Sequence, residues 1–385
     1  MSFDPAERVQ QVPPSGIRRF FELAEEMDDI ISLGVGEPDF SAPWAARDAA
    51  ITSLEQGKTS YTANRGRQDL RERIADRVAG QYDLDYDPDD EILVTAGASE
   101  GLDLAFRALV DPGDTVAIAQ PCYVSYVPGA IFAGGEVLSV PTRVEDEFKL
   151  TREVLEDAGA SRADVLVMCY PNNPTGATMT EGELTEVAAF AREHDLTVLS
   201  DEIYADLTYE GEHTSIATLP GMRERTVVFN GFSKAYAMTG LRLGYTLAPP
   251  EATTAMNRIH QYTLLSAPTT AQYAAIEALE TCDDAVEEMQ TQYDRRRQFV
   301  LSRFAEMGID CFRAKGAFYA FPECPWDDAG AFAEELLHEE RVAVVPGTAF
   351  GDGGEDHLRV SYATGLDDLK EAMARIERFV GGTAV

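Results

Sequence analysis

The sequence has almost no lysine. Lysines stand only at positions 58, 149, 234, 315 and 370 of 385, and arginine supplies the rest of the 32 basic side chains. Cysteine is scarce as well. There are five (Cys122, Cys169, Cys282, Cys311 and Cys324), an odd number with no Cys-x-x-Cys pair. That pattern argues against a disulfide scaffold or a zinc site and suits reduced thiols in a cytoplasm. The five histidines (His194, His213, His260, His338 and His357) lack metal-ligand spacing with each other or with a cysteine, and read as polar or packing residues. No apolar run reaches about 18 residues, so no membrane-spanning helix is expected. Met1-Ser2-Phe3-Asp4-Pro5 is not a basic-then-apolar leader. Repeats and low-complexity tracts are also missing.

Acid is abundant. With 67 acidic residues the net charge is −35, spread along the whole chain rather than gathered in a tail. Such a field repels nucleic acid and anionic membranes, so neither is expected as a partner. The acid-rich, lysine-poor composition resembles that of proteins from salt-loving organisms, in which concentrated cations screen self-repulsion. The length exceeds one ordinary hydrophobic core, and the 45 % hydrophobic share is that of a globular protein. Two domains, or one large α/β domain with an annex, are expected.

Hydrophobic periodicity predicts helices over residues 15–30 and 64–80. From about residue 90, short apolar runs alternate with amphipathic stretches. The runs are Ile92–Thr95, Thr115–Ala119, Val137–Val140, Val165–Cys169, Thr197–Leu199 and Thr226–Phe229. Buried strands separated by helices make a mainly parallel α/β sheet. Glu287–Met307 reads as one long charged helix. Ala317–Phe321, Val342–Val345 and Leu358–Tyr362 read as a small sheet. A large domain is therefore expected over 45–280. A smaller α+β domain would combine residues 1–44 with 281–385.

Four segments fall just past predicted strand ends, where sheet proteins keep their chemistry. Thr95-Ala96-Gly97-Ala98-Ser99-Glu100-Gly101 turns from strand to helix, and free N–H groups there can seat an anion. Tyr170-Pro171-Asn172-Asn173-Pro174-Thr175-Gly176 reads as an extended loop fixed by two prolines, with both Asn173 amide donors available. Ser200-Asp201-Glu202-Ile203-Tyr204 puts a carboxylate at a strand end, which alone could be a helix cap. Gly231-Phe232-Ser233-Lys234 continues to Arg242, a residue suited to phosphate. A chain that avoids lysine yet keeps one here needs an amine at that point. Arginine stays protonated, whereas a deprotonated lysine amine can form an imine. Gly57-Lys58-Thr59 mimics the end of a phosphate loop, but Thr52 stands where that motif needs glycine.

Taken in order, these segments resemble the class I/II pyridoxal-phosphate-dependent aminotransferases of fold type I. The resemblance covers nearly the whole chain. It includes Leu33-Gly34-Val35-Gly36-Glu37-Pro38-Asp39-Phe40, Tyr61-Thr62, Pro121-Cys122-Tyr123, Gly316-Ala317-Phe318-Tyr319 and Leu358-Arg359-Val360-Ser361-Tyr362-Ala363. It implies pyridoxal 5′-phosphate held by Lys234, which would later move the substrate's α-proton. Asp201 would keep the ring nitrogen protonated, and Tyr204 and Asn173 would bond the ring's phenolic oxygen. Tyr123 would stack on the ring. Gly97, Ala98, Ser99 and Arg242 would hold the phosphate. Ser233 would join them, although the family often keeps that hydroxyl three residues before the lysine, where Gly231 stands. Tyr61 would reach the phosphate from a neighbouring subunit, implying a homodimer with shared sites. Arg359, with Asn173 and the Gly36 amide, would grip the substrate carboxylate. Leu241 departs from the tryptophan that many relatives carry.

The implied reaction is ping-pong transfer of an amino group between an L-amino acid and a 2-oxo acid such as 2-oxoglutarate. Ile17-Arg18-Arg19-Phe20-Phe21 and Glu147-Phe148-Lys149-Leu150 resemble archaeal aromatic aminotransferases. The shortage of lysine, which could meet an acidic side chain, also favours aromatic or broad specificity. Aspartate or alanine transamination and a carbon–sulfur β-lyase are the alternatives on the same scaffold. A cofactor-binding regulator would need a basic DNA-binding segment, which is missing. If cations screen the acidic surface, the melting temperature should rise with added KCl; a flat or falling curve counts against it.

Overall fold

The computed structural model of the protein describes residues 4–14, 16, 27 and 29–382. After the short strand β1 (Ile31–Ser32) come β2 (Ile92–Thr95), β3 (Thr115–Gln120), β4 (Glu136–Pro141), β5 (Val165–Cys169), β6 (Thr197–Asp201), β7 (Thr226–Gly231) and β8 (Gly244–Leu247). These last seven form one sheet in the order β2-β8-β7-β6-β5-β3-β4. Only β8 runs antiparallel to its neighbours.

Continuous apolar runs are what a sheet covered on both faces requires. Side chains alternate between faces. On one face Ala117, Ala119, Leu166, Met168 and Val198 pack beneath Leu184, Val187, Ala188 and Ala191 of the helix Glu181–Glu193. On the other, Val116, Ile118, Val165, Val167 and Leu199 pack beneath Leu102, Ala105 and Phe106 of the helix Ala98–Leu109, with Met256 of the helix Pro250–Thr263. Both helices bury positions three and four apart, the spacing of a single helical stripe. Thr180 and Glu183 form a capping box that starts the first of them.

The second half adds the helix Asp283–Met307 and the strands β9 (Tyr319–Ala320), β10 (Val342–Ala343), β11 (Val345–Pro346) and β12 (Leu358–Ser361). β12 lies between β11 and β9, antiparallel to both. β1 pairs parallel with β10, and the Ser361 N–H donates to the Leu33 carbonyl at 2.7 Å. The Gly34–Gly36 segment is thereby laid beside β12.

The structure departs from expectation in several places. The helix expected over 15–30 falls almost wholly outside the described residues. The Val342–Val345 run is split into β10 and β11, which pair with different partners. β8 has only four residues and follows a loop, so no long apolar run announces it. The Asn172–Gly176 loop is a tight turn and not an extended segment. The Asn172 carbonyl oxygen Oδ1 accepts from Thr175 N (3.1 Å) and Oγ1 (2.9 Å), and Gly176 N donates to Asn172 O at 2.9 Å. Among the described residues no helix is long and apolar enough to cross a membrane.

β8 starts where its parallel neighbours end, because it runs the other way. Gly244 is in register with both Gly231 and Thr95. A Cβ on Gly244 would lie 2.5 Å from Ala98 N and 2.6 Å from Gly97 C, backbone atoms that cannot give way. Gly244→Ala should therefore cost about 1–3 kcal/mol of stability by urea titration. Gly182→Ala, where nothing lies within 4 Å, should stay within about 0.5 kcal/mol of the parent.

Candidate active site

The loops after β2, β3, β5, β6 and β7, the last of which leads into β8, converge on one edge of the sheet. There they enclose a cavity of about 950 Å³ with the Val35–Glu37 segment and Arg359 of β12. Its lining holds Gly36, Ala98, Ser99, Tyr123, Asn173, Asp201, Tyr204, Ser233, Lys234, Arg242 and Arg359. Gly97 stands behind the wall rather than in it. Its φ of +78° is a left-handed conformation, and a Cβ there would approach Arg242 Nη2 to 2.8 Å. Tyr61 is not brought to this cavity. It is 79 % exposed and lines a separate shallow opening with Lys58, Arg67 and Tyr273.

The half-buried Lys234 donates from Nζ to the Gly36 carbonyl at 2.6 Å, with the ring faces of Phe318 and Tyr204 at 5.5 and 5.8 Å. Burial, and then the Arg359 cation, lower its pKa from 10.5 to about 8, against the opposing pull of Glu37 and Asp201. Asp201 is fully buried. It accepts from Tyr126 Oη (2.7 Å) and the Ile203 N–H (3.1 Å). Burial still outweighs these bonds and raises its pKa from 3.8 to about 6. Tyr204 and Tyr319 share a hydroxyl–hydroxyl bond of 2.8 Å, and burial holds the Tyr204 phenol well above its usual range.

Arg359 is 3 % exposed. It donates from Nη1 to Asn173 Oδ1 (3.0 Å) and from Nη2 to the Gly34 carbonyl (2.6 Å), and it lies 4.6 Å from the ring centres of Tyr319 and Phe350. Its Nε is buried without a partner, and among the described residues no carboxylate pairs with it. A surface salt bridge, the ordinary use of an arginine, is therefore not its role. Asn173 already spends its side-chain oxygen on this arginine. Its neighbour Asn172 is committed to holding the turn.

These residues fit pyridoxal phosphate by their own unfilled contacts. The first turn of the Ala98–Leu109 helix leaves N–H groups without intrahelical acceptors. Ser99, Ser233 and Arg242 stand around the same corner, and the bare Cα of Gly97 keeps it open. Asp201 is a carboxylate short of a positive partner, and a ring N–H cation would supply one. The orphaned Nε and uncompensated charge of Arg359 suit a carboxylate. Sequence reasoning missed Tyr126, whose bond to Asp201 crosses 75 positions of chain. It also left Tyr319 without a role, though the residue lies in a quoted motif.

Residues 28–376 match the family model described as aminotransferase class I and II. The chain is 43 % identical to aromatic-amino-acid aminotransferase 2 of Thermococcus litoralis over 97 % of each chain. It is 44 % identical to the aspartate aminotransferase of Pyrococcus abyssi, again over 97 % of each. The crystal structure of an aromatic aminotransferase from Pyrococcus horikoshii OT3 superposes with a TM-score of 0.90 at 44 % identity, covering 95 % of this chain and 99 % of that one.

The raised pKa of Asp201 has a sign that can be checked. The folded state binds this proton more tightly than the unfolded chain. Stability from the group is therefore present at low pH and lost as pH rises through about 6. In cofactor-free protein at high salt, wild type should lose stability relative to Asp201→Asn between about pH 4 and 6, by at most about 1.4 kcal/mol per pH unit, and level off above that. A stability difference that stays constant over that range contradicts the assignment.

Proposed function

The chain belongs to the class I and II aminotransferases, and from that premise we propose a pyridoxal-phosphate enzyme of aromatic or broad amino-acid specificity that uses 2-oxoglutarate or a similar 2-oxo acid as acceptor. Transaminase activity comes with the family, whose members depend on pyridoxal phosphate. When bound, that group supplies a carbonyl that takes up amino nitrogen and a ring that delocalises the electron pair left at the substrate α-carbon.

The observation that carries the reading is Lys234, an amine brought to a pKa of about 8 by burial and facing the same cavity as buried Asp201. Near neutral pH a useful share of such an amine is unprotonated, so it can hold the cofactor and then act as a base. Freed by the incoming substrate, it takes the proton from the substrate α-carbon. Asp201 holds a proton at the ring nitrogen, with Tyr126 fixing the carboxylate. Tyr204 donates toward the phenolic oxygen, and Tyr319 orients that hydroxyl. Ala98, Ser99, Ser233 and Arg242 bind the phosphate. Arg359 binds the substrate carboxylate, which fixes the α-carbon within reach of Lys234.

Specificity rests on what the cavity lacks. Its cations are Lys234, Arg242 and Arg359 among the described residues, and each already has a task. None is left in this chain for a second substrate carboxylate, whereas Tyr123, Tyr319 and Val35 offer rings and apolar surface. Relatives named for aromatic and for aspartate substrates stand at nearly equal identity, so ancestry alone does not choose. A second copy of the chain supplies Tyr61 in this reading. Trp44, Leu54, Tyr61 and Tyr262 are exposed. The segment of Tyr61 is tied to the one just past Tyr262 by Asn64 Nδ2 to Leu265 O (2.7 Å) and Thr269 Oγ1 to Ser60 O (2.8 Å). All five cysteines are free thiols, which supports a cytoplasmic setting.

Borohydride reduction of pyridoxal-phosphate-loaded protein should label Lys234. Lys234→Ala should still bind cofactor but lose turnover by a hundredfold or more, on the order expected for a lost general base. With 2-oxoglutarate as acceptor, phenylalanine and tyrosine should show kcat/KM at least equal to that of aspartate. Full activity in Lys234→Ala sinks the mechanism, and a tenfold preference for aspartate sinks the specificity.

A further inference from the structure

The turn that would seat the phosphate is braced from behind by a carboxylate–imidazole pair, its imidazole fully buried, that has no part in the chemistry described so far. Glu100 is the third residue of the Ala98–Leu109 helix. One carboxylate oxygen, Oε2, reaches back to accept the Ala96 N–H at 2.5 Å. In a capping box a residue at this position bonds the N-cap N–H. Here the bond goes one residue earlier, so it also ties down the strand exit. The other oxygen, Oε1, lies 2.7 Å from Nδ1 of His260. His260 is fully buried on the helix Pro250–Thr263, sharing its inner face with Thr253 and Met256. With an ionised Glu100 as acceptor, the shared proton sits on Nδ1. The far nitrogen, Nε2, is buried and has no partner among the described residues.

A half-buried carboxylate and a fully buried imidazole with one unused nitrogen cost desolvation that a leucine–leucine contact would not. The arrangement does gain a fixed Ala96–Ser99 backbone. Gly97 N donates to Thr95 O at 2.9 Å, and Thr95 Oγ1 donates to Gly97 O at 2.9 Å, so the turn is held from both sides. Ala98 and Ser99, which line the cavity, directly precede Glu100. A shift of the Glu100 carboxylate would therefore rotate them.

We propose that His260 is a positioning residue for the cofactor phosphate, acting through Glu100 on the Ala96–Ser99 turn. The proposal rests on the phosphate seat assigned above, and the test separates the two. Full-length protein freed of cofactor would be titrated at high salt with pyridoxal phosphate and, separately, with pyridoxal, which lacks the phosphate but keeps the reactive carbonyl. Wild type should bind the phosphorylated form more tightly; equal affinities would overturn the seat and this inference together. His260→Leu should weaken pyridoxal phosphate binding about tenfold, or about 1.4 kcal/mol, and leave pyridoxal within about twofold. His260→Asn, whose amide nitrogen falls near the histidine Nδ1 position, should restore wild-type affinity. Glu100→Ala should show the same phosphate-selective loss, and the His260→Leu/Glu100→Ala double variant no further loss. If His260→Leu does not fold, Glu100→Ala decides the matter alone. A wild-type preference for the phosphate, combined with equal losses for both ligands or no loss in either variant, overturns the role of the pair and leaves the seat standing.

Discussion

The cavity holds buried charge that the protein does not neutralise. Arg359 is buried with hydrogen bonds but no carboxylate, and the half-buried Lys234 likewise enters no ion pair among the described residues; the exposed Arg242 adds a third unpaired cation at the cavity wall. Asp201 is anionic in a place that pushes its pKa up. Unpaired buried charge is expensive and persists only where something else repays it. A cofactor with a phosphate and a ring cation, joined by a substrate carboxylate, would match three of these groups. The fourth, Lys234, is then the uncharged amine that chemistry requires. Most other features of the site follow from keeping these charges apart until those ligands arrive.

Geometry does that work through strand direction. The ends of β2, β5, β6 and β7 set Ala98, Asn173, Asp201 and Lys234 on one edge. The antiparallel β8 brings Arg242 to the same edge from the opposite direction. Gly97 and Gly244 have no side chain where the Arg242 guanidinium and the Ala98 backbone come closest. Arg359 comes from a separate sheet, and β1 with Leu33 joins the N-terminal segment to it, so Gly36 faces Lys234.

Much of this was legible in the sequence, for physical reasons. Strands covered on both faces must be apolar throughout, so Val165–Cys169 and Thr226–Phe229 stand out as runs. Site residues follow those runs because loops at strand ends are where the fold exposes backbone donors. Contacts between distant segments were not legible. Tyr126 against Asp201 and His260 against Glu100 each join positions that no local pattern relates. β8 was missed because four residues after a loop carry little periodicity. The Asn172 turn was misread because its closure depends on a side-chain carbonyl bonding Thr175, a contact that the two prolines do not announce.

The surface and the cavity have opposite signs, and salt treats them differently. A protein of net charge −35 repels anionic substrates at long range. At an ionic strength near 1 M the screening length falls to about 3 Å, so that repulsion is confined to the surface layer. Arg359 is buried away from bulk ions, so its grip on a bound anion would keep most of its strength under the same conditions. Concentrated salt thus removes the barrier to approach without weakening the grip. An acidic exterior around a cationic pocket is consistent with tight anion binding only because the two act over different distances. Lysine can be rare across the surface and still be retained at position 234, where the proposed reaction needs a proton to leave the amine and no arginine could release it.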